Sequence, residues 1–370
     1  MAMRLFWRYG DDNRHPPEIL ARALDHLGYT GYLLAIGAGG ADMWTTAAAL
    51  AEHTERVKFL VAAYAGVTSP LQLAAQAATL DKISKGRLVI NAITGETRIT
   101  LAHGILLNHD DRYAMADEYW TLFRQLFSGE QITFEGKYIQ ARGAQLQVES
   151  VQQPHPELFI AGSSDPAIDV AAKQMQTYLT WGEPLHLAVE KINRVKAQAL
   201  TYGRELKYGM RLHLIVRDTD EEAWAETQRI YDRFDKDKID VALKVRATSD
   251  SVGVRRTTEL VQGKVVGKYA RDFEVAPNLW AGYTLTGKGP GTALVGSPQT
   301  VADRLLEYYN AGIDTFILSG SPRLDEAYRV AEQVFPLLPF EVDKPAVSTR
   351  QDRALRAILA TRDLNNAAAG

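Results

Sequence analysis

The chain has 370 residues, enough for one large barrel or two ordinary domains, and the composition of a globular protein. Its 42 Lys and Arg against 45 Asp and Glu give a formal net charge of −3, which excludes a global attraction to nucleic acid or an anionic membrane and makes any anion recognition local. With no cysteine, disulfides, thiolate metal sites and a cysteine nucleophile are excluded.

From the first residues, "MRLFW" reads as a strand, which leaves no room for a secretory leader; no run of about 18 apolar residues suggests a membrane span, and the expected location is the cytoplasm. Strands are expected at 3–7, 31–36, 57–64, 86–93, 157–161, 177–181, 208–216 and 313–319. Helices are expected at 17–27, 42–54, 70–84, 110–127, 166–175, 186–202, 219–234 and 322–336. This alternation predicts an α/β fold, a (β/α)8 TIM barrel rather than an open doubly wound sheet. Ser69 before Pro70 reads as a helix start, and "GSPQTVADRLLEYYNAG" repeats the device and ends at Gly312.

Two stretches break the repeat. Residues 129–150 alternate like a small hairpin, and 235–295 form a long, charged, Gly-rich insertion before the last βα unit, the kind of segment that serves as a lid. One barrel domain over 1–340 with a mobile insertion at 235–295 is therefore expected. The tail at 341–370 has two readings, disorder or docking on a neighbouring subunit.

A barrel of this kind carries its site at the C-terminal strand ends. Those ends offer Trp7, Arg8 and Tyr9; Asn91, Thr94, Gly95 and Glu96; Gly162, Ser163, Ser164 and Asp165; Trp181, Gly182 and Glu183; Arg211 and His213; and 319–323. In "YGMRLHLIVR" the residues Met210, Leu212, Leu214 and Val216 share one face, so Arg211 and His213 share the other. A buried guanidinium there needs an anion. Either a ligand supplies it, with Arg binding an oxyanion and His moving a proton, or a barrel carboxylate such as Glu183 or Glu96 does. "GSSDP" at 162–166 ends a strand and opens a helix; it fits a phosphate at a helix N-terminus or a plain cap by Ser164 or Asp165. "IGAGGADMW" lacks the third glycine of a dinucleotide fingerprint, "GKGPG" follows no strand, the histidines show no metal-ligand spacing, and no nucleophile elbow occurs.

Taken together, "AATLDKISKGRLVINAITG", "DRYAMADEY", "IAGSSDPAIDVAA", "YLTWGEP", "GMRLHLIVRDTDEEAW", "APNLWAG", "GTALVGSPQTVADRL" and "FILSGSPRLDEAYRVAEQVFPLLP" resemble the bacterial-luciferase-like flavin monooxygenases over about residues 3–340. Within them they resemble the reduced-FMN-dependent alkanesulfonate monooxygenases. The resemblance implies a barrel that takes reduced FMN from a separate NAD(P)H-dependent flavin reductase, uses O2 as co-substrate, and cleaves the C–S bond of an organosulfonate to sulfite and an aldehyde. It implies a flavin site at Asn91, Tyr113, Gly162, Ser163 and Ser164, catalytic Arg211 and His213, and no metal. It also implies a closing arginine in the insertion, for which Arg255 and Arg256 are the candidates, and a homo-oligomer, dimer or tetramer. Trp7, Arg8, Tyr9, Trp181 and Ser321 complete the expected substrate contacts.

The chain departs from close alkanesulfonate members at three places. It has "FWRYGDDN" for their "FWFLPTHGDG", Gly40 for a Cys, and Ser321 in "LSGSPRLDEA" for a Tyr. These changes point to either a larger, hydroxylated sulfonate such as sulfoquinovose or a repacked rim that still takes alkanesulfonates. A flavin- or deazaflavin-linked dehydrogenase and a non-catalytic flavin-binding barrel are the alternatives from other classes.

Overall fold

The computed structural model describes residues 3–10, 16–35, 40–287 and 289–339. Most of "IGAGG", Lys288 of "GKGPG" and the tail, with both expectations for it, lie outside them. Among the described residues eight parallel strands close on themselves: β1 (Arg4–Arg8), β2 (Gly31–Leu34), β3 (Lys58–Tyr64), β4 (Leu88–Ile93), β5 (Glu157–Ala161), β6 (Thr177–Trp181), β7 (Lys207–Val216) and β8 (Thr315–Ser319). Each pairs with the next, and β8 pairs with β1 through Arg4↔Thr315 to Trp7↔Leu318, which completes the (β/α)8 barrel. No helix among the described residues is long and apolar enough to cross a membrane.

Period-2 alternation sorts each strand between the barrel interior and the helix layer. Seven strands send Phe6, Leu33, Leu60, Val89, Phe159, Leu179 and Ile317 inward as one apolar cluster. β7 presents Gly209, Arg211 and His213 on that side, while Met210, Leu212 and Leu214 join the outer core. Gly209 is required by space: a Cβ there would fall 2.5 Å from Leu179 Cδ2. The lower end of the barrel is closed by Arg4, which is fully engaged with Glu157 at 2.9 Å, Thr315 at 2.8 Å and Thr177 at 3.1 Å.

Helix starts follow the expected chemistry. Ser69 accepts from the Gln72 amide ahead of Pro70, and Ser297 caps Pro298–Asn310 in the same way. Ile132–Glu135 and Gln140–Ala144 form the expected antiparallel hairpin. The insertion is more structured than a loop: it holds helices Lys236–Ala247 and Val252–Glu259, then a short strand Glu274–Ala276 antiparallel to Leu279–Trp280, which in turn pairs antiparallel with Ala293–Gly296. That last strand lies parallel to the upper half of β7, and Ile239, Phe273, Trp280 and Leu285 build a second core beneath it.

Candidate active site

A cavity of about 470 Å³ opens over the C-terminal ends of the barrel strands, within the size range that encloses a cofactor or small ligand. Its floor is the apolar interior at Leu33, Leu179 and Ile317. Asn91 on β4 and Trp181 on β6 face into it, and Arg211 lies beside Trp181 in the sheet register.

One end of the cavity is a strand-to-helix turn. β5 stops at Ala161, and Gly162, Ser163 and Ser164 lead into the helix Asp165–Gln174, whose first turn is capped by Ser164 accepting from the Ala167 amide. A side chain at Gly162 has no room, since its Cβ would lie 2.5 Å from the Ala167 Cβ and 3.1 Å from the Tyr113 hydroxyl. The Tyr178 hydroxyl donates to the Gly162 carbonyl and fixes the turn. Burial pushes the Tyr113 hydroxyl up from its usual range, opposed by its bonds to Thr94 and Ser164. In the helix's first turn residue 166 is Pro and the Ala167 and Ile168 amides donate to Ser164, which leaves the Asp165 N–H, with the Ser163 and Ser164 hydroxyls beside it, as the donors that suit a phosphate. The start of Val252–Glu259 lies across from this turn: a Cβ on Gly253 would sit 3.8 Å from Ser163 Oγ.

The other end is cationic. Arg8, the last residue of β1, and Arg211 both line the cavity, and the Nε atoms of both are buried without a hydrogen-bond partner. Burial, then the neighbouring Arg323, holds the Arg8 guanidinium down to about 10. Burial, then Arg8 and Arg323, holds Arg211 well below its ordinary range. His213 stands one step above Arg211, hydrogen-bonded through Nδ1 to Ser319 Oγ at 2.9 Å and packed on Tyr283 at 4.6 Å. Burial and the same three arginines push its pKa well down, so the imidazole is neutral at pH 7. Gly289 passes over both, with its Cβ position 3.8 Å from His213 Nε2 and 3.9 Å from Arg211 Nη2.

Neither carboxylate expected for Arg211 reaches it. Glu183 is held by Lys191 at 2.7 Å and by both arms of Arg256 at 3.0 and 2.9 Å, and Glu96 accepts from Ser249 at 2.7 Å. Burial pushes Glu183 up, but the Arg256 and Lys191 bonds outweigh it and hold the carboxyl below its usual range.

The structure corrects several expected substrate contacts. Trp7 faces outward, edge-on to Tyr29 at 5.5 Å, because Phe6 and Arg8 take the inward positions of β1. Tyr9 packs edge-on to Tyr32 at 5.8 Å and does not line the cavity. Ser321 is exposed and does not line the cavity, while Arg323, the first residue of the helix Arg323–Arg329, lies against Gly10. Arg255 donates to the Ser249 carbonyl at 2.6 Å and Arg256 clamps Glu183, so both brace the insertion and neither reaches the cavity.

The sequence reading missed Arg112, Asp250 and the lining residues His109 and Lys191. Arg112 is 1 % exposed and bonds Asp250 and Thr97 across 138 and 15 residues of chain. A buried arginine on an amphipathic helix was the one available signal; nothing local in "ATSDSVG" marks Asp250 as its partner.

The sequence pattern of the luciferase-like monooxygenases matches residues 15–315. The chain belongs to that family. Among solved structures, this luciferase-like chain is similar to a riboflavin lyase (RcaE) determined with modified FMN and riboflavin, at 21 % identity over 96 % of both chains and a TM-score of 0.74. It is also similar to the long-chain alkane monooxygenase LadA, at 21 % identity over 93 % of both chains and a TM-score of 0.74. The EDTA monooxygenase EmoA from Chelativorans sp. BNC1 superposes with a TM-score of 0.75 at 18 % identity, over 91 % of this chain and 93 % of that one. At these identities the likeness is one of fold.

Proposed function

We propose that this luciferase-like barrel is the oxygenase of a two-component system, taking reduced FMN from a flavin reductase and using O2 to cleave the C–S bond of an organosulfonate. The observation that carries the reading is one cavity with two separate anion-receiving ends: the Gly162–Ser164 helix start and the Arg8–Arg211 wall. The first suits the phosphate of FMN, with Tyr113, Ser163 and Ser164 around it and Asn91 along the ring system. The second suits a sulfonate, a permanent anion matched to the parallel donors of a guanidinium.

When bound, the reduced flavin supplies two electrons and activates O2. Over the reaction RCH2SO3⁻ + O2 + FMNH2 gives RCHO, sulfite, water, a proton and FMN: one oxygen atom ends in the aldehyde, the other in water, and the C–S electron pair leaves with sulfite. Arg211 holds the sulfonate and stabilises charge on the departing sulfite. Neutral His213, oriented by Ser319, lies behind Gly289 next to Arg211 rather than on the cavity lining, and in this reading it accepts or returns a proton at Nε2. The insertion, tied down through Arg256–Glu183 and Asp250–Arg112, keeps water from the reacting end.

The test is sulfite release in air with FMN, NADH and a flavin reductase, comparing sulfoquinovose with short- and longer-chain alkanesulfonates. Sulfite from any of them, lost without O2, supports the reading, and preference among them sorts sugar from alkane substrates. No sulfite from all of them, with FMN bound, removes it.

A further inference from the structure

On its barrel side the Gly162–Ser164 turn offers the Asp165 N–H and the hydroxyls of Tyr113, Ser163 and Ser164, all of them neutral donors. A phosphomonoester carries about two negative charges near neutral pH and three strongly accepting oxygens. One free N–H and three hydroxyls, two of which are already bonded to each other, leave part of that demand unmet.

The insertion lies across the gap. Ser251, Val252, Gly253 and Val254, at the start of the helix Val252–Glu259, line the cavity, and a Cβ on Gly253 would stand 3.8 Å from Ser163 Oγ. Ser251 caps this helix by accepting from the Val254 amide at 3.4 Å, and its carbonyl accepts from the Arg255 amide at 3.1 Å. The Val252 and Gly253 N–H groups have no acceptor among the described residues. With no side chain at Gly253, the backbone of this turn is bare on the side of Ser163.

Two buried guanidinium groups stand at the same place. Arg246, 7 % exposed, lines the cavity and is tied to the helix: Nη2 donates to Thr257 Oγ1 at 2.8 Å, and Thr257 donates to the Gly253 carbonyl at 3.3 Å. Its Nε donates to the Thr258 hydroxyl at 3.3 Å, so its hydrogen-bond partners are hydroxyls; Glu96 acts on it from beyond ion-pair distance and accepts from Ser249. Arg112, 1 % exposed, lines the cavity beside Tyr113, and its Nε is buried with no partner. Asp250, the other acidic group of the insertion here, is engaged by Arg112 and Thr97.

Building on the reading that the Gly162–Ser164 turn receives the phosphate of FMN, we infer that the insertion supplies the second half of that site: the Val252 and Gly253 N–H groups and the Arg246 guanidinium take the phosphate oxygens that the barrel leaves unmatched. The phosphate is then the latch between barrel and insertion. A flavin that lacks it can lie along the barrel and still leave the insertion unfastened.

FMN and riboflavin share the ring system and differ in the phosphate. Their oxidised forms are titrated by fluorescence against the full chain and against Arg246→Gln, Gly253→Asp and Ser163→Asp. A carboxylate in the first turn of a helix favours the helix, so Gly253→Asp keeps the insertion folded while it repels phosphate. The unaltered protein should bind FMN more than about tenfold tighter than riboflavin, and each insertion variant should lower that ratio about fivefold or more with riboflavin affinity kept. FMN should slow tryptic cleavage between residues 236 and 271 of the unaltered chain, and riboflavin should not. A ratio kept in both insertion variants and lost in Ser163→Asp overturns the inference and leaves the phosphate at the barrel turn. A ratio unchanged in Ser163→Asp as well, or equal affinity of the unaltered protein for the two flavins, overturns the phosphate reading beneath it. Equal weakening of FMN and riboflavin in the insertion variants makes Arg246 a brace of the fold and also overturns the inference.

Discussion

In the proposed reaction Arg211 is the residue on which the chemistry turns. Truncating a buried, ligand-paired arginine costs about 2–5 kcal/mol, so Arg211→Ala should lower kcat/KM for a sulfonate by roughly two to three orders of magnitude while FMN binding is kept. Steady-state sulfite assays beside a flavin titration check it, and unchanged turnover would remove Arg211 from the site. His213 gives a second residue-scale test. Its pKa is pushed down by burial and by Arg211, Arg8 and Arg323, so taking away a cation should move it back up. Histidine NMR on Arg8→Gln should show that rise, and no movement would mean the field comes from elsewhere. At the opposite end, Ser163→Asp places a negative charge beside the phosphate cradle and should weaken FMN by about tenfold or more in a fluorescence titration. The Arg211–His213 pair was legible because strand period alone puts the two on the face opposite Met210, Leu212 and Leu214. The same rule, applied to β1, turns Arg8 inward and Trp7 outward; counting every polar or aromatic residue at a strand end as a contact overrode it.

At the scale of elements, the insertion lines one side of the cavity and, in the proposed reaction, closes it. It is pinned by Asp250 to Arg112 and Thr97, by Ser249 to Glu96, and by Arg256 to Glu183. Asp250→Ala should therefore speed tryptic cleavage at lysines and arginines between 236 and 271, and flavin with a sulfonate should slow cleavage of the unaltered chain; equal rates in all cases would count against a lid. The Arg256–Glu183 clamp carries a pH signature. The folded carboxyl lies below its unfolded value, so its contribution is present above the usual carboxylate range and is lost as pH falls through the folded value. Thermal unfolding should show Arg256→Met about 1–3 kcal/mol less stable near neutrality, with the gap narrowing on acidification; a gap independent of pH would contradict the assignment. The barrel strands were readable because each is a short apolar run with its own turn and cap signals. The insertion was not, since its partners are distant in the chain: Asp250 meets Arg112 across 138 positions, Ser249 meets Glu96 across 153 and Arg256 meets Glu183 across 73. Arg255 and Arg256 read as closing arginines, yet Arg255 bonds the Ser249 carbonyl six residues back and Arg256 the Glu183 carboxylate, neither of which the local sequence marks as a partner.

For the molecule as a whole, charge is separated where composition shows none. A chain with a net charge of −3 concentrates three arginines over the upper barrel and leaves a helix start facing the far side of the same cavity. Closure of β8 onto β1 brings Arg8, near the beginning of the chain, beside Arg211 and Arg323, and no local sequence window contains that meeting. The eightfold alternation made the barrel legible, and the cavity opens over the strand ends at which the barrel rule looks for a site. Which cations share a field depended on register and on the outward turn of alternate residues, which only the folded sheet displays.

The central claim is that C–S cleavage draws its electrons from flavin held in this cavity and its oxygen from O2. The most direct measurement is a single turnover without any reductase: protein loaded with photoreduced FMN and a sulfonate under anaerobic conditions is mixed with oxygenated buffer, and sulfite is counted. The account predicts close to one equivalent of sulfite per bound flavin, none before oxygen is added, and a loss of most of it in Arg211→Ala. Flavin oxidation with no sulfite, or sulfite formed before oxygen enters, would contradict it.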